Sequence, residues 1–148
     1  MKSPLRRRIS PSTPFILEYT NLDGSKVSES FKLSYNFKSM SLVEEQLGIS
    51  MLTSVGEIID NPTARNASVL LWGAVQEYQP EYRTEEGLEV ICQNLTVATV
   101  KKAMSACFDA YVLQLPEEQQ ERVRKIKAAR EAGEEVAAPL VESQTVAS

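Results

Sequence analysis

Apolar and polar residues alternate in two runs that begin at Phe15. In "FILEYT", Phe15, Leu17 and Tyr19 share one side; in "VSESFKLSYNF", Val27, Phe31, Leu33, Tyr35 and Phe37 do. Glu29 alone breaks the second set, and Ser28, Ser30, Lys32, Ser34 and Asn36 take the other side. A period of two predicts strands with one covered and one wet face. Between the runs, "NLDGSK" carries Asp23-Gly24, a turn pair in which glycine accepts positive φ. The pattern predicts an antiparallel hairpin. Two strands are marginal alone, so helices must cover the apolar face.

After Phe37 the period becomes helical. "SMSLVEEQLG" offers Ser39 or Ser41 as a cap, Leu42, Val43 and Leu47 as the apolar positions, and Gly48 as a stop. "ISMLTSVGEIIDNP" gives a second short helix, ended by Asn61-Pro62. A third helix is predicted over about 63–78. Ala64, Ala67, Leu71, Ala74, Val75 and Tyr78 form its stripe, with Val69 and the chain's single tryptophan, Trp72, outside it. A helix apolar over more than half its girth belongs at the centre of a fold. Thr84 caps a fourth helix, with Glu85 and Glu86 suited to its dipole and Leu88, Ile91, Cys92 and Leu95 facing inward. A fifth runs over about 97–115, its stripe being Val97, Val100, Met104, Cys107, Phe108, Tyr111 and Leu115. Ala103, Ala106 and Ala110 make a second, small-residue side on which another helix could approach closely.

The two ends read differently. Residues 1–14 hold three prolines, three serines and the Arg6-Arg7-Arg8 run, predicting a flexible basic arm. No apolar stretch follows it as in a secretory signal. From Pro116, "PEEQQERVRKIKAAREAGEE" is strongly helix-forming but has only Val123 and Ile126 as large apolar residues. The remainder, "VAAPLVESQTVAS", reads as disordered. The expected organisation is a basic arm (1–14), a globular α+β domain (15–115) and a charged helical tail becoming disordered (116–148). The fold expected of the domain is an N-terminal hairpin packed on a bundle of about four helices. Its core should contain Phe31, Leu33, Tyr35, Leu47, Leu71, Trp72, Val100, Met104, Phe108 and Tyr111.

Composition narrows the chemistry. Hydrophobic content of 43% against 24% charged residues gives a globular chain. At 148 residues it can bury a core without disulfides or metals. The absence of histidine removes the usual general base and the commonest zinc ligand. Cys92 and Cys107 fall within apolar helical patterns and read as buried, reduced thiols. The glutamate pairs 44–45, 85–86, 117–118 and 134–135 are neighbours about 100° apart on helices, which suits solvated faces and not an acid–base pair. No glycine-rich phosphate loop is present. No enzymatic site, cofactor, metal or small-molecule substrate is expected.

Two binding readings compete on the residues themselves. The pair of short helices, 39–47 and 51–59, could be a helix-turn-helix, but "MLTSVGEII" has no Arg or Lys for a major groove. A net charge of −4 also disfavours nucleic acid. No run reaches the roughly 18 apolar residues of a membrane span. The cluster Tyr78–Pro80–Tyr82 is either a docking surface or a loop capping the core.

The order of segments resembles the small tail assembly chaperones of long-tailed bacteriophages and the related gene-transfer-agent tail proteins. Phe31, Leu33, Tyr35, Phe37, Glu44, Glu45, Leu47 and Gly48 carry the first half of that resemblance. Leu70, Leu71, Trp72, Pro80, Thr84, Glu85 and Glu86 carry the second, and together they cover about residues 27–115. The resemblance implies a non-enzymatic protein that binds the long, aggregation-prone tape measure protein before the tail tube polymerises around it. It also implies action in the host cytoplasm and absence from the mature virion, with the tail tube protein and a second copy of this chain as further candidate contacts. In many such phages a ribosomal frameshift produces a longer form. Two alternatives stand beside it: a structural tail or head–tail component, and a small regulatory protein that binds DNA through Arg6–Arg8. For the client surface, the expected residues are Ala103, Ala106 and Ala110, left open on the fifth helix, with Val123 and Ile126 of the tail closing over the bound helix.

Overall fold

The computed structural model describes residues 10–131. Strand β1 (Thr13–Thr20) pairs antiparallel with β2 (Lys26–Leu33), with Phe15 opposite Phe31 and Tyr19 opposite Val27. Asp23 fixes the turn between them by accepting from the Ser25 backbone and hydroxyl, and Gly24 takes φ 88°. Helices α1 (Phe37–Leu47), α2 (Met51–Asp60), α3 (Ala64–Val75), α4 (Glu85–Asn94) and α5 (Val97–Val112) follow, with a 3-10 turn at Pro80–Tyr82. The architecture is α+β, and among the described residues the domain carries the five α-helices that the helical periodicity predicted one by one.

The chain divides into two compact units at Gln114–Leu115. The second contains helix α6 (Glu117–Glu131), whose first turn is acidic and whose Arg124 pairs with Glu121 one turn earlier at 3.2 Å. Arg6–Arg8 and the chain after Glu131 lie outside the described residues. Of the arm expected over 1–14, only residues 10–14 are described, and they are held against the domain. Thr13 and Pro14 already belong to β1, and Ser10 is held at both ends of its peptide: its N–H donates to Glu77 at 3.1 Å and its carbonyl accepts from the Tyr78 hydroxyl.

Helix α3 is the centre of the domain. It packs against α1, α4, α5 and β2, and every residue from Ala67 to Val75 is buried. Full burial of each large aliphatic side chain there contributes about 1.5–3 kcal/mol. Alternation stops at Leu33 because a buried link replaces it. Ser34 N–H donates to the Ala74 carbonyl at 2.8 Å and the Tyr35 hydroxyl to the Leu70 carbonyl at 2.7 Å. Asn36 then caps α1 in a reciprocal pair with Ser39. The expected extension of the strand to Phe37 is therefore corrected. Phe37 opens α1 and is 76% exposed. The cap also moves to Asn36, with Ser39 serving as its partner three residues on.

The other boundaries follow local chemistry. Gly48 ends α1 at φ 69°. Ser50 makes no side-chain cap for α2; instead the Glu44 carboxylate accepts from Met51 N–H at 2.8 Å. Thr63 and Thr84 cap α3 and α4 through their hydroxyls, and Thr96 pairs reciprocally with Thr99 at α5. Gly73 lets α1 lie close on α3, since a Cβ there would stand 2.3 Å from Val43 Cγ2.

Core expectations hold for Phe31, Leu33, Tyr35, Leu71, Trp72, Met104 and Tyr111, all buried. Leu47, Val100 and Phe108 are only partly buried. The alanine side of α5, expected open, is closed: Ala103, Ala106 and Ala110 are 0, 9 and 0% exposed. Met104, Cys107 and Tyr111 of the large-residue side are buried as well, while Val97 at its start is 93% exposed. Backbone packs closely where side chains are small, so the alanine side is also drawn against the domain's own elements. Cys107 is buried as expected, but Cys92 is exposed; Leu88 and Ile91 set the inward stripe of α4, and Cys92 lies about 100° round from Ile91.

Candidate functional site

The alanine part of the expected client surface is not open. Ala103, Ala106 and Ala110 are closed within the domain, so they cannot receive a helix without unfolding it. Val123 and Ile126 are three positions apart on α6, in the other unit.

A different concavity lies between the hairpin and α4. It arises because the apolar side of the hairpin is longer than the helices that cover it. Phe15, Leu17, Phe31 and Leu33 are buried there, but Tyr19 and Val27 are only partly so and Glu29 is exposed. Leu17, Phe31 and Ile91 form the floor of the resulting cleft, which is about 60 Å³ in volume. Tyr19, Glu29 and Tyr82 stand around it, with Val90 and Asn94 on the helix side. Val90 is 39% exposed, so the apolar surface continues out of the cleft along α4.

Tyr82 is fixed from behind. Its ring meets Phe31 edge-on at 5.6 Å between centroids, and its carbonyl accepts from Trp72 Nε1 at 2.6 Å. Gly87 permits this, because a Cβ at that position would lie 2.4 Å from the Tyr82 carbonyl oxygen. The tyrosine cluster thus caps the core through Tyr82, while Tyr78 binds Ser10 and lies under the Lys32 ammonium at 5.6 Å. The other side of Tyr82 lines the cleft.

The electrostatics of the cleft are negative. The Tyr19 hydroxyl donates to Glu29 Oε1 at 3.2 Å. Lost solvent contact, followed by the hydrogen bond and charge of Glu29, raises the Tyr19 hydroxyl above the ordinary phenol range. Burial raises Tyr82 likewise, helped by the charges of Glu29 and Glu81 and by Tyr19. The arrangement suits binding of a donor or cation. Among the described residues no three potential metal ligands come together. Among the same residues no helix is long and apolar enough to cross a membrane.

Periodicity did signal this site, in one respect: Glu29 was the single charge on the apolar side of β2. The participation of Tyr82, Val90 and Asn94 had no sequence signal, because it depends on how α4 meets the hairpin. No protein-family model, curated protein or solved structure matches this chain.

Proposed function

We propose that this chain is a tail assembly chaperone of a long-tailed bacteriophage, a non-enzymatic protein that binds the tape measure protein and keeps it from aggregating until the tail tube encloses it. The observation that carries this reading is the pair of matched segments, 31–48 and 70–86. Support comes from the way the matching residues are used. Tyr35 and Leu70 meet in a buried hydrogen bond, Glu44 caps the following helix, Gly48 ends its own, Trp72 anchors the turn after Pro80, and Thr84 caps α4. Such residues define a scaffold, which is what a resemblance without catalytic residues can transmit.

The chaperone has no site of chemistry in this reading. It works by covering apolar client surface, for which the exposed Val90, Val97, Leu52 and Phe37 and the tail residues Val123 and Ile126 are the available apolar side chains. Its place of action is the host cytoplasm, and it leaves before the virion matures.

Co-expression with the tape measure protein tests this. The client should stay in the soluble fraction only with the chaperone present. Truncation after Leu115 should leave the domain folded and reduce the soluble client. Mass spectrometry of purified virions separates the chaperone from a structural component: stoichiometric retention in the particle would overturn the proposal.

A further inference from the structure

We propose that the cleft between the hairpin and α4 receives an arginine side chain presented by a polypeptide partner. This rests on the reading of the chain as a protein-binding protein and names where one contact is made.

Three observations converge. Glu29 occupies an inward register position on β2, in line with Phe31 and Leu33, where an apolar residue would be the rule. Its carboxylate receives the Tyr19 hydroxyl on one oxygen, and among the described residues no basic side chain forms an ion pair with it. A carboxylate has about four acceptor sites, so Glu29 can accept further donors beside the Tyr19 hydroxyl. Second, Tyr19 and Tyr82 flank that carboxylate with aromatic rings, and Glu81 adds to the negative field at Tyr82. Aromatic faces beside a carboxylate match a guanidinium, which stacks on rings and donates in a planar fork. Third, the volume of about 60 Å³ is far below the roughly 300 Å³ at which small-molecule sites begin. It fits the end of a side chain, and the stem of an arginine would run out over Val90. The occupant is a partner chain with basic residues, toward which a net charge of −4 also draws the protein.

The test uses the full chain, isotope-labelled, and a capped pentapeptide Gly-Ala-Arg-Ala-Gly as probe in nuclear magnetic resonance titrations. The expected result is saturable shifts centred on Tyr19, Glu29, Tyr82 and Asn94. Replacing the arginine by citrulline, which keeps the shape and removes the charge, should abolish them. Glu29→Gln should weaken binding about tenfold while leaving the circular dichroism unchanged, since Glu29 is exposed and takes no part in the core. Equal binding of the citrulline peptide, or full binding by Glu29→Gln, overturns the proposal. So does tighter binding after deletion of residues 1–9, which would make the chain's own arginines the occupant. A Glu29-dependent dimer in sedimentation would assign the cleft to a second copy and overturn it as well. If the probe fails to bind while the client remains soluble in co-expression, this contact is wrong and the proposed function stands. Probe binding without any effect on the client leaves the contact in place and sinks the function.

Discussion

The Tyr35 hydroxyl donates to the Leu70 carbonyl at 2.7 Å inside the domain, joining the chain leaving β2 to the middle of α3. The Cys107 thiol of α5 lies beside the same hydroxyl. Tyr35→Phe keeps the ring and removes the bond to Leu70. It should cost about 1 kcal/mol, read as a lower urea midpoint with an unchanged slope. A midpoint equal to that of the unaltered protein would mean that the hydroxyl contributes nothing net.

Burial pushes the Cys107 thiol from 9.0 up to about 12, and pushes Tyr35 well above its ordinary value of 10.0. Both groups keep their protons in the folded state after the unfolded chain has lost them. Their contribution to stability is complete below the unfolded values and is lost as pH rises toward the folded ones. Thermal stability should accordingly fall between pH 9 and pH 12, the window set by Cys107. Cys107→Ala should make the fall shallower across that range.

The two thiols should separate cleanly in reactivity. Cys92 is exposed and Cys107 fully buried. A disulfide-exchange reagent should titrate one thiol promptly in native protein and the second only in denaturant. Two fast thiols without denaturant would contradict the packing around α5.

Glycine substitutions should go in opposite directions. Gly87→Ala places a Cβ 2.4 Å from the Tyr82 carbonyl oxygen, a backbone atom that cannot swing away. A loss of about 1–3 kcal/mol is expected, with a shift in the emission of Trp72 as its bond to Tyr82 is disturbed. Gly56 lies within α2 with nothing near its missing side chain. Gly56→Ala should raise stability by about 0.5–1 kcal/mol.

Adjacent glutamates should behave differently. Glu44 bonds the first N–H of α2, whereas Glu45 is exposed. Glu44→Ala should cost about 1 kcal/mol and Glu45→Ala close to nothing, compared by denaturant titration. Ala106→Glu should now unfold the domain in the absence of any client, because Ala106 is 9% exposed.

The sequence by itself determined the local structure. Alternation marked the hairpin face through Phe15, Leu17, Phe31 and Leu33, and Asp23-Gly24 marked its turn. Thr84 and Gly48 marked helix ends, and an apolar surface over more than half the girth of residues 63–78 marked a central helix. These are effects of neighbours a few residues apart, so they can be read along a chain. What only the tertiary structure decided is which surfaces meet. An alanine stripe on α5 is compatible with an open face or a closed one, and it closed because small side chains let α5 settle against the domain. Cys92 shares an apolar pattern with Leu88 and Ile91, but the direction of α4 turned it outward. Glu29 read as a blemish in a strand; only the shortfall of helix cover over the hairpin end, and the arrival of Tyr82 and α4 beside it, made it the charged wall of a cleft. Such contacts join residues of different elements, far apart along the chain, and their geometry depends on the packing of the whole domain.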